Sequence, residues 1–128
     1  MLLLDTDIVI DLLRKHPPAV QWINTLNLQD EIILPGYVVM ELLQGCRNQT
    51  EQNQLQSFLC DIATVWPSPN DCDQALELFV KYDLSHNIGL IDVMIGQTAL
   101  SLELPLYSFN QKHYDFIPGL STIQPYDK

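Results

Sequence analysis

The sequence predicts an α/β fold: three layers, α/β/α, around a central and mostly parallel sheet of four or five strands. Three observations predict it. Short apolar runs alternate with helix-period segments along the chain. These runs are apolar enough to be covered on both faces, as strands of a parallel sheet are. Turn and capping residues, such as Pro17-Pro18, Pro35-Gly36 and Pro67, punctuate the segments. The 128 residues fit one domain, 1–128, large enough to build one core without staples.

The elements follow in order. Leu2–Asp5 reads as a buried strand. Thr6 or Asp7 caps a helix that runs through Ile8, Ile10, Leu12 and Leu13 to Arg14-Lys15-His16. Pro17-Pro18 break it, and a second helix covers Ala19–Leu28. Glu31–Leu34 is the second strand, closed by Pro35-Gly36, and Tyr37–Cys46 is a helix carrying Glu41. Thr50–Ile62 places Leu55, Phe58, Leu59 and Ile62 on one side of a further helix. Ala63–Trp66 is a strand, Asp71–His86 a long amphipathic helix, and Ile91–Glu103 a helix opened by Asp92. Leu106–Ser108 and Ser121–Gln124 complete the strands.

Composition excludes several classes. No apolar run reaches the roughly 18 residues of a membrane span. The start, MLLLDTD, lacks a basic region and is not expected to be a signal peptide. Cys46, Cys60 and Cys72 are odd in number and lack C-x-x-C spacing, which points to reduced thiols in a cytoplasmic protein rather than a disulfide frame or zinc site. Sixteen acids face six bases, for a net charge of −10. Long-range attraction for polyanions is therefore weak, and bound cations or a basic partner would offset part of the charge.

Three acids stand in apolar surroundings. Asp5 ends Leu2-Leu3-Leu4, Glu41 lies within Tyr37–Leu43, and Asp92 lies within Gly89–Ile95. An ionised carboxylate in a dry site costs several kcal/mol unless a cation or hydrogen bonds compensate, and neighbouring carboxylates push each other's pKa upward. A divalent metal relieves both. Asp5 sits at the carboxyl end of the first strand, where open α/β sheets bind ligands. Each acid also has an ordinary explanation. Asp5 or Asp7 suits a helix cap. Glu41 shares a helical face with Gln44 and Asn48, which also suits solvent. Asp92 opens a helix, where the dipole favours an acid. Yet it stacks with Gly96, Ala99 and Glu103, opposite the polar Gln97, Thr98 and Ser101, on a small-residue stripe that leaves space beside it.

Together these segments resemble the PIN-domain nucleases, particularly the VapC-like toxins of bacterial toxin–antitoxin pairs. L-L-L-D-T-D-I-V-I-D-L-L-R, from Leu2, resembles the family's first motif. Glu41-Leu42-Leu43-Gln44-Gly45 resembles the second, an acid on a helix followed by a small residue four positions on. Ile91-Asp92-Val93-Met94-Ile95 resembles the third, and Ser108-Phe109-Asn110-Gln111-Lys112-His113-Tyr114 the last. The matches span the chain in order.

The resemblance implies a PIN-like fold and an acidic site of Asp5, Glu41 and Asp92 holding Mg²⁺ or Mn²⁺, with Thr6 and Ser108 supporting it through hydroxyls. Asn110 takes the catalytic position where some members carry a fourth acid, and a neutral amide there weakens the case for a second metal. His113 is read as a packing or hydrogen-bonding residue. The implied activity is metal-dependent endoribonuclease: a metal-activated water cleaves the RNA phosphodiester and leaves a 5′-phosphate and a 3′-hydroxyl. Arg14, Lys15, Arg47 and Lys112 are the bases available to hold the backbone. Implied partners are an antitoxin with a basic segment and a second copy of the chain, with Trp22, Tyr37 or Phe58 as candidate dimer contacts.

Two rival functions remain open. Leu4-Asp5-Thr6-Asp7-Ile8-Val9 also satisfies the first motif of haloacid-dehalogenase-like phosphatases, with Asp5 as nucleophile and Asp7 as general acid; the late Asp-Asp pair and strand-end lysine of that class are missing. The other rival is a non-catalytic binding domain with the PIN fold.

Overall fold

The computed structural model describes residues 1–27 and 31–128, in which five parallel strands form one sheet flanked by six helices. In chain order these are β1 (Leu2–Leu4), α1 (Thr6–Leu13), α2 (Pro17–Asn24), β2 (Ile32–Pro35), α3 (Gly36–Gln44), α4 (Gln49–Leu59), β3 (Ala63–Val65), α5 (Pro69–His86), α6 (Leu90–Leu102), β4 (Leu106–Tyr107) and β5 (Thr122–Ile123), with a 3-10 turn at Gln111–His113. The spatial order is β3-β2-β1-β4-β5. Leu3 pairs with Ile33 on one side and Leu106 on the other, and every pairing is parallel.

This order positions the site. From β1 the chain first builds outward through β2 and β3, then returns to place β4 and β5 on the other flank. The reversal lies between β1 and β4, and a crevice opens beyond the carboxyl ends of strands at such a switch. Asp5 follows β1 there and Ser108 follows β4. The Asp5 N–H donates to the Tyr107 carbonyl at 3.0 Å, extending the ladder to the mouth of the crevice.

Leu3, Leu4, Ile33, Leu34 and Leu106 are buried and form the core with Ile8, Val9, Val38, Ile95 and Tyr114. Asp5 lies just past the strand, as the N-cap of α1, its carboxylate accepting from the Thr6 N–H. That moves the strand end from Asp5 to Leu4 and, of the residues expected to cap the helix, selects Asp5 over Thr6 and Asp7. α1 stops at Leu13, and Lys15 takes a left-handed conformation (φ 56°) in the bend that follows. Pro17 and Pro18 do more than break a helix: they occupy the first turn of α2, where a missing N–H costs nothing. The helix ends at Asn24 with Thr25 as its C-cap, short of the predicted end at Leu28, a residue that itself lies outside the described ones. At the start of α3, a Cβ on Gly36 would sit 2.4 Å from the Trp66 ring, so that position must be glycine for β3's end to close against α3.

Helix α6 departs from its predicted pattern. Its residues are buried without interruption from Val93 to Ala99. Gln97 and Thr98 therefore lie inside, not on a solvent face: Gln97 donates to Gln74 at 2.9 Å, and the Thr98 hydroxyl donates to the Met94 carbonyl at 2.8 Å. The small-residue stripe leaves no space either. A Cβ on Gly96 would meet Ile117 Cδ1 at 2.6 Å. The stripe exists so that the 114–120 segment can pack on α6, and it is no vestibule for Asp92.

Candidate active site

Asp5 is the buried centre of the site, only 3 % exposed. The start of α1 presents its Oδ1 to the Thr6 N–H at 2.8 Å. Its Oδ2 accepts from the Ser108 hydroxyl at 2.7 Å and the Tyr114 hydroxyl at 3.0 Å. Three donors keep this carboxylate in place, since donors to the charged form offset its desolvation. The Ser108 Oγ in turn accepts from the Asn110 N–H at 2.9 Å, which fixes the loop after β4 beneath it.

Glu41 reaches the same region from α3. The Thr6 hydroxyl donates to its Oε1 at 2.8 Å, so Thr6 contacts Asp5 through its N–H and Glu41 through its side chain. Burial raises the Glu41 pKa, and the charges of Asp5 and Asp92 raise it further against the lowering effect of Thr6. Asp92, in the first turn of α6, lies 3.3 Å from His113 Nδ1. Its pKa is also raised, by burial first and by Asp5 next, with His113 and the nearby Tyr114 hydroxyl acting in the opposite direction. Burial and the fields of Asp5 and Asp92 drive the Tyr114 phenol strongly upward, so it remains a proton donor.

The three acids thus share one electrostatic neighbourhood. Among the described residues, His113 is the one basic group in ion-pair contact with any of them. Also among the described residues, no three His, Cys, Asp or Glu side chains stand together as a ready-made metal site. The donor set nevertheless suits a hard divalent cation. It is all oxygen and undercompensated, and Mg²⁺ characteristically keeps several waters and takes only one or two carboxylates directly. Glu41 lines a groove of about 720 Å³ and Asp92 a separate cleft of about 320 Å³, while buried Asp5 lines neither.

The remaining candidates are placed as follows. Asn110 is exposed and joins the site through its backbone. Arg14 and Lys15 border the Glu41 groove, and Lys112 borders the Asp92 cleft. Arg47 lies 3.0 Å from Glu51, in an ion pair of its own, and lines neither the Glu41 groove nor the Asp92 cleft, so it is not placed to hold an RNA backbone at this site.

Two residues escaped the sequence reading. Tyr114 appeared there only as the aromatic after His113, yet it is buried and donates to Asp5; that a buried tyrosine needs a partner was the available signal. For Asp7 the sequence offers a helix cap or a phosphatase general acid, and the structure gives it another part. Its Oδ1 accepts from the adjacent Ile8 N–H, and its Oδ2 accepts from the Phe109 N–H at 2.8 Å, tying α1 to the β4 loop. Burial and the charge of Asp5 push its pKa up to about 6.

The model of the PIN domain family matches residues 2–116. The chain belongs to the PIN-domain family. This PIN domain is 32% identical over 124 residues to Ribonuclease VapC19 of Mycobacterium tuberculosis, covering 94% of this chain and 97% of the relative. Its fold superposes on a toxin–antitoxin complex from Klebsiella pneumoniae with a TM-score of 0.78 at 23% identity, covering 100% of both chains. VapBC2 from Rickettsia felis, solved bound to a DNA fragment from its promoter, gives a TM-score of 0.79 at 24% identity, covering 94% of this chain and 96% of the other. At those identities the likeness is one of fold. Family membership sets the phosphatase reading aside, and Asp7's engagement with Phe109 fits a structural tie rather than a general acid.

Proposed function

We propose that this PIN domain is a metal-dependent endoribonuclease, the toxin of a toxin–antitoxin pair, with Asp5, Glu41 and Asp92 holding Mg²⁺ or Mn²⁺ directly or through water. The observation that carries this reading is the gathering of three carboxylates, in which Asp5 raises both half-buried Glu41 and Asp92, with no lysine or arginine among the described residues in ion-pair contact with any of them. Kinship with a protein named a ribonuclease supports RNA as the substrate.

When bound, the cation makes a water more acidic and stabilises charge on the attacked phosphate. The chain's own residues do the rest. Asp5, held by three donors, is the fixed anchor. Thr6 occupies Glu41 Oε1, which leaves Oε2 to take the proton of the attacking water. Ser108 and Tyr114 keep Asp5 oriented, and Asn110 supports Ser108 through its N–H. The products are a 5′-phosphate and a 3′-hydroxyl. Single-stranded or looped RNA fits best, because its phosphates must reach a recessed centre.

The fold neighbours are toxin–antitoxin complexes, which supports an antitoxin partner; the charge of −10 suits a basic segment on it. A homodimer is the self-assembly the resemblance implies. Trp22, Tyr37 and Phe58 are partly buried against their own chain's core and are poor contacts for it. Leu76, Val80 and Leu84, 60%, 72% and 98% exposed along one stripe of α5, are better ones. Light scattering that returns a monomer mass would count against the dimer.

The function is tested by RNA cleavage with the purified full chain in Mn²⁺ and in EDTA, for wild type and Asp92→Asn. Cleavage by wild type in Mn²⁺ alone is expected, with a loss of at least a hundredfold in the variant. Equal cleavage by both preparations would mark a contaminant and leave the chain a non-catalytic binding domain.

A further inference from the structure

We infer that the cleft beside Asp92 is a nucleotide subsite, in which one base of single-stranded RNA stacks on His86 and Phe116 while Lys112 holds its phosphate. The inference rests on the nuclease reading, because it supplies a place for the substrate next to the acids.

The cleft holds about 320 Å³, at the small end of the range for ligand sites and enough for a single nucleotide. Asp92 forms one wall, so an occupant lies directly against the acidic centre. The other walls carry two features that RNA recognition uses. The first is aromatic. His86 and Phe116 line the cleft with ring centroids 5.9 Å apart, and Tyr82 backs both of them at 5.3 Å. A supported face of this kind suits a base, which stacks regardless of its identity.

The second feature is charge. Lys112 and His113 line the cleft from the 3-10 turn, and Lys81 lies 5.2 Å from the Tyr82 ring centroid behind the aromatic group. In a chain with six Lys and Arg against sixteen acids, a lysine lining a cleft beside the aromatic pair is informative. Other bases are offset differently: Arg47 is paired with Glu51, Lys128 lies 3.5 Å from Asp11, and Arg14 and Lys15 share their groove with Glu41 and Glu51. The polypeptide also delivers these residues together. Asn87, left-handed at φ 49°, turns the chain from α5 into the start of α6, so that His86 and Asp92 border one opening. The segment after β4 closes it, with Lys112 in the 3-10 turn and Phe116 beyond that turn.

The test is fluorescence anisotropy of a labelled eight-nucleotide single-stranded RNA in EDTA with the full chain. Wild type is compared with His86→Gln, Lys112→Gln and Phe116→Leu, and with Arg47→Gln as a charge-matched control. Thermal melts verify that each variant is folded. Because a stacked base contributes roughly tenfold in affinity, His86→Gln and Phe116→Leu should each weaken binding about five- to tenfold. Lys112→Gln should weaken it several-fold and Arg47→Gln hardly at all. An oligomer with one abasic position should bind more weakly to wild type, with little further loss in Phe116→Leu. Undetectable wild-type binding, equal affinities throughout, or the same loss in Arg47→Gln as in Lys112→Gln would overturn the subsite. Cleavage in Mn²⁺, measured on the same preparations, separates the two readings. Variants with raised KM and retained kcat support the subsite, whereas RNA binding without any wild-type cleavage removes the nuclease and leaves the subsite.

Discussion

Tyr114 and Asp7 show how single residues set the chemistry of this site. The Tyr114 hydroxyl is one of three donors to Asp5, and hydrogen bonds to charged groups are worth about 1.5–3 kcal/mol. Tyr114→Phe keeps the ring and removes the donor, so urea unfolding should show a loss of about 2 kcal/mol. An unchanged midpoint would mean the bond contributes nothing in solution. Asp7 works in the other direction. Its pKa of about 6, against an ordinary 3.8, means that the folded chain binds this proton more tightly than the unfolded chain. Ionised Asp7 therefore costs stability. The cost is absent below about pH 4, grows through the window to about pH 6, and is complete above it. Two pKa units correspond to about 3 kcal/mol, reduced to roughly 1 kcal/mol by solvent that reaches this partly exposed group. Asp7→Asn in EDTA should gain that amount at pH 7.5 and nothing at pH 4. A gain that persists at pH 4 would contradict the electrostatic cause. That Asp5, Glu41 and Asp92 stand apart from the other acids was legible in the sequence, because an acid within an apolar run is costly, and the structure sets them in one electrostatic neighbourhood. Tyr114 and Asp7 were not legible in this way, since their partners lie 109 and 102 positions away.

At the scale of elements, local chemistry decides where helices begin more clearly than which face they bury. Ser68 opens α5 with a full capping box, its hydroxyl accepting from the Asp71 N–H at 3.1 Å while Asp71 accepts from the Ser68 N–H at 2.9 Å. Ser68→Ala should lower the unfolding free energy by about 1 kcal/mol, as loss of a cap usually does, and a calorimetric melt would detect it. The same Asp71 also accepts from Ser101 of α6 at 3.1 Å, so this cap fastens the helix that carries Asp92. Pro17-Pro18 illustrate a signal with two meanings: a proline ends one helix and starts the next, and only tertiary contacts say where the boundary falls. Helical periodicity misread α6 because it assumes one wet face. With α5 on one side and the 114–120 segment on another, Gln97 and Thr98 satisfy their polar atoms inside the protein.

Across the whole molecule, the alternation of apolar runs with helical segments was sufficient to read a mostly parallel sheet of four or five strands, and the described residues form five, all parallel. Sequence order could not say that β4 returns to pair with β1, but that pairing is what brings Ser108 and Tyr114 to Asp5. The distribution of charge has the same global character. Acids dominate the chain, so on the proposed function attraction for RNA would be local, from the few bases at the two clefts and from any cation held there. No helix is long and apolar enough to cross a membrane among the described residues.

Isothermal titration of Mn²⁺ into the full chain tests most directly whether Asp5, Glu41 and Asp92 serve one ion. Wild type should bind a cation at this centre, and Asp5→Asn, Glu41→Gln and Asp92→Asn should each weaken that event at least tenfold while the control Asp61→Asn leaves it intact. Identical isotherms for wild type and all three site variants would contradict the account.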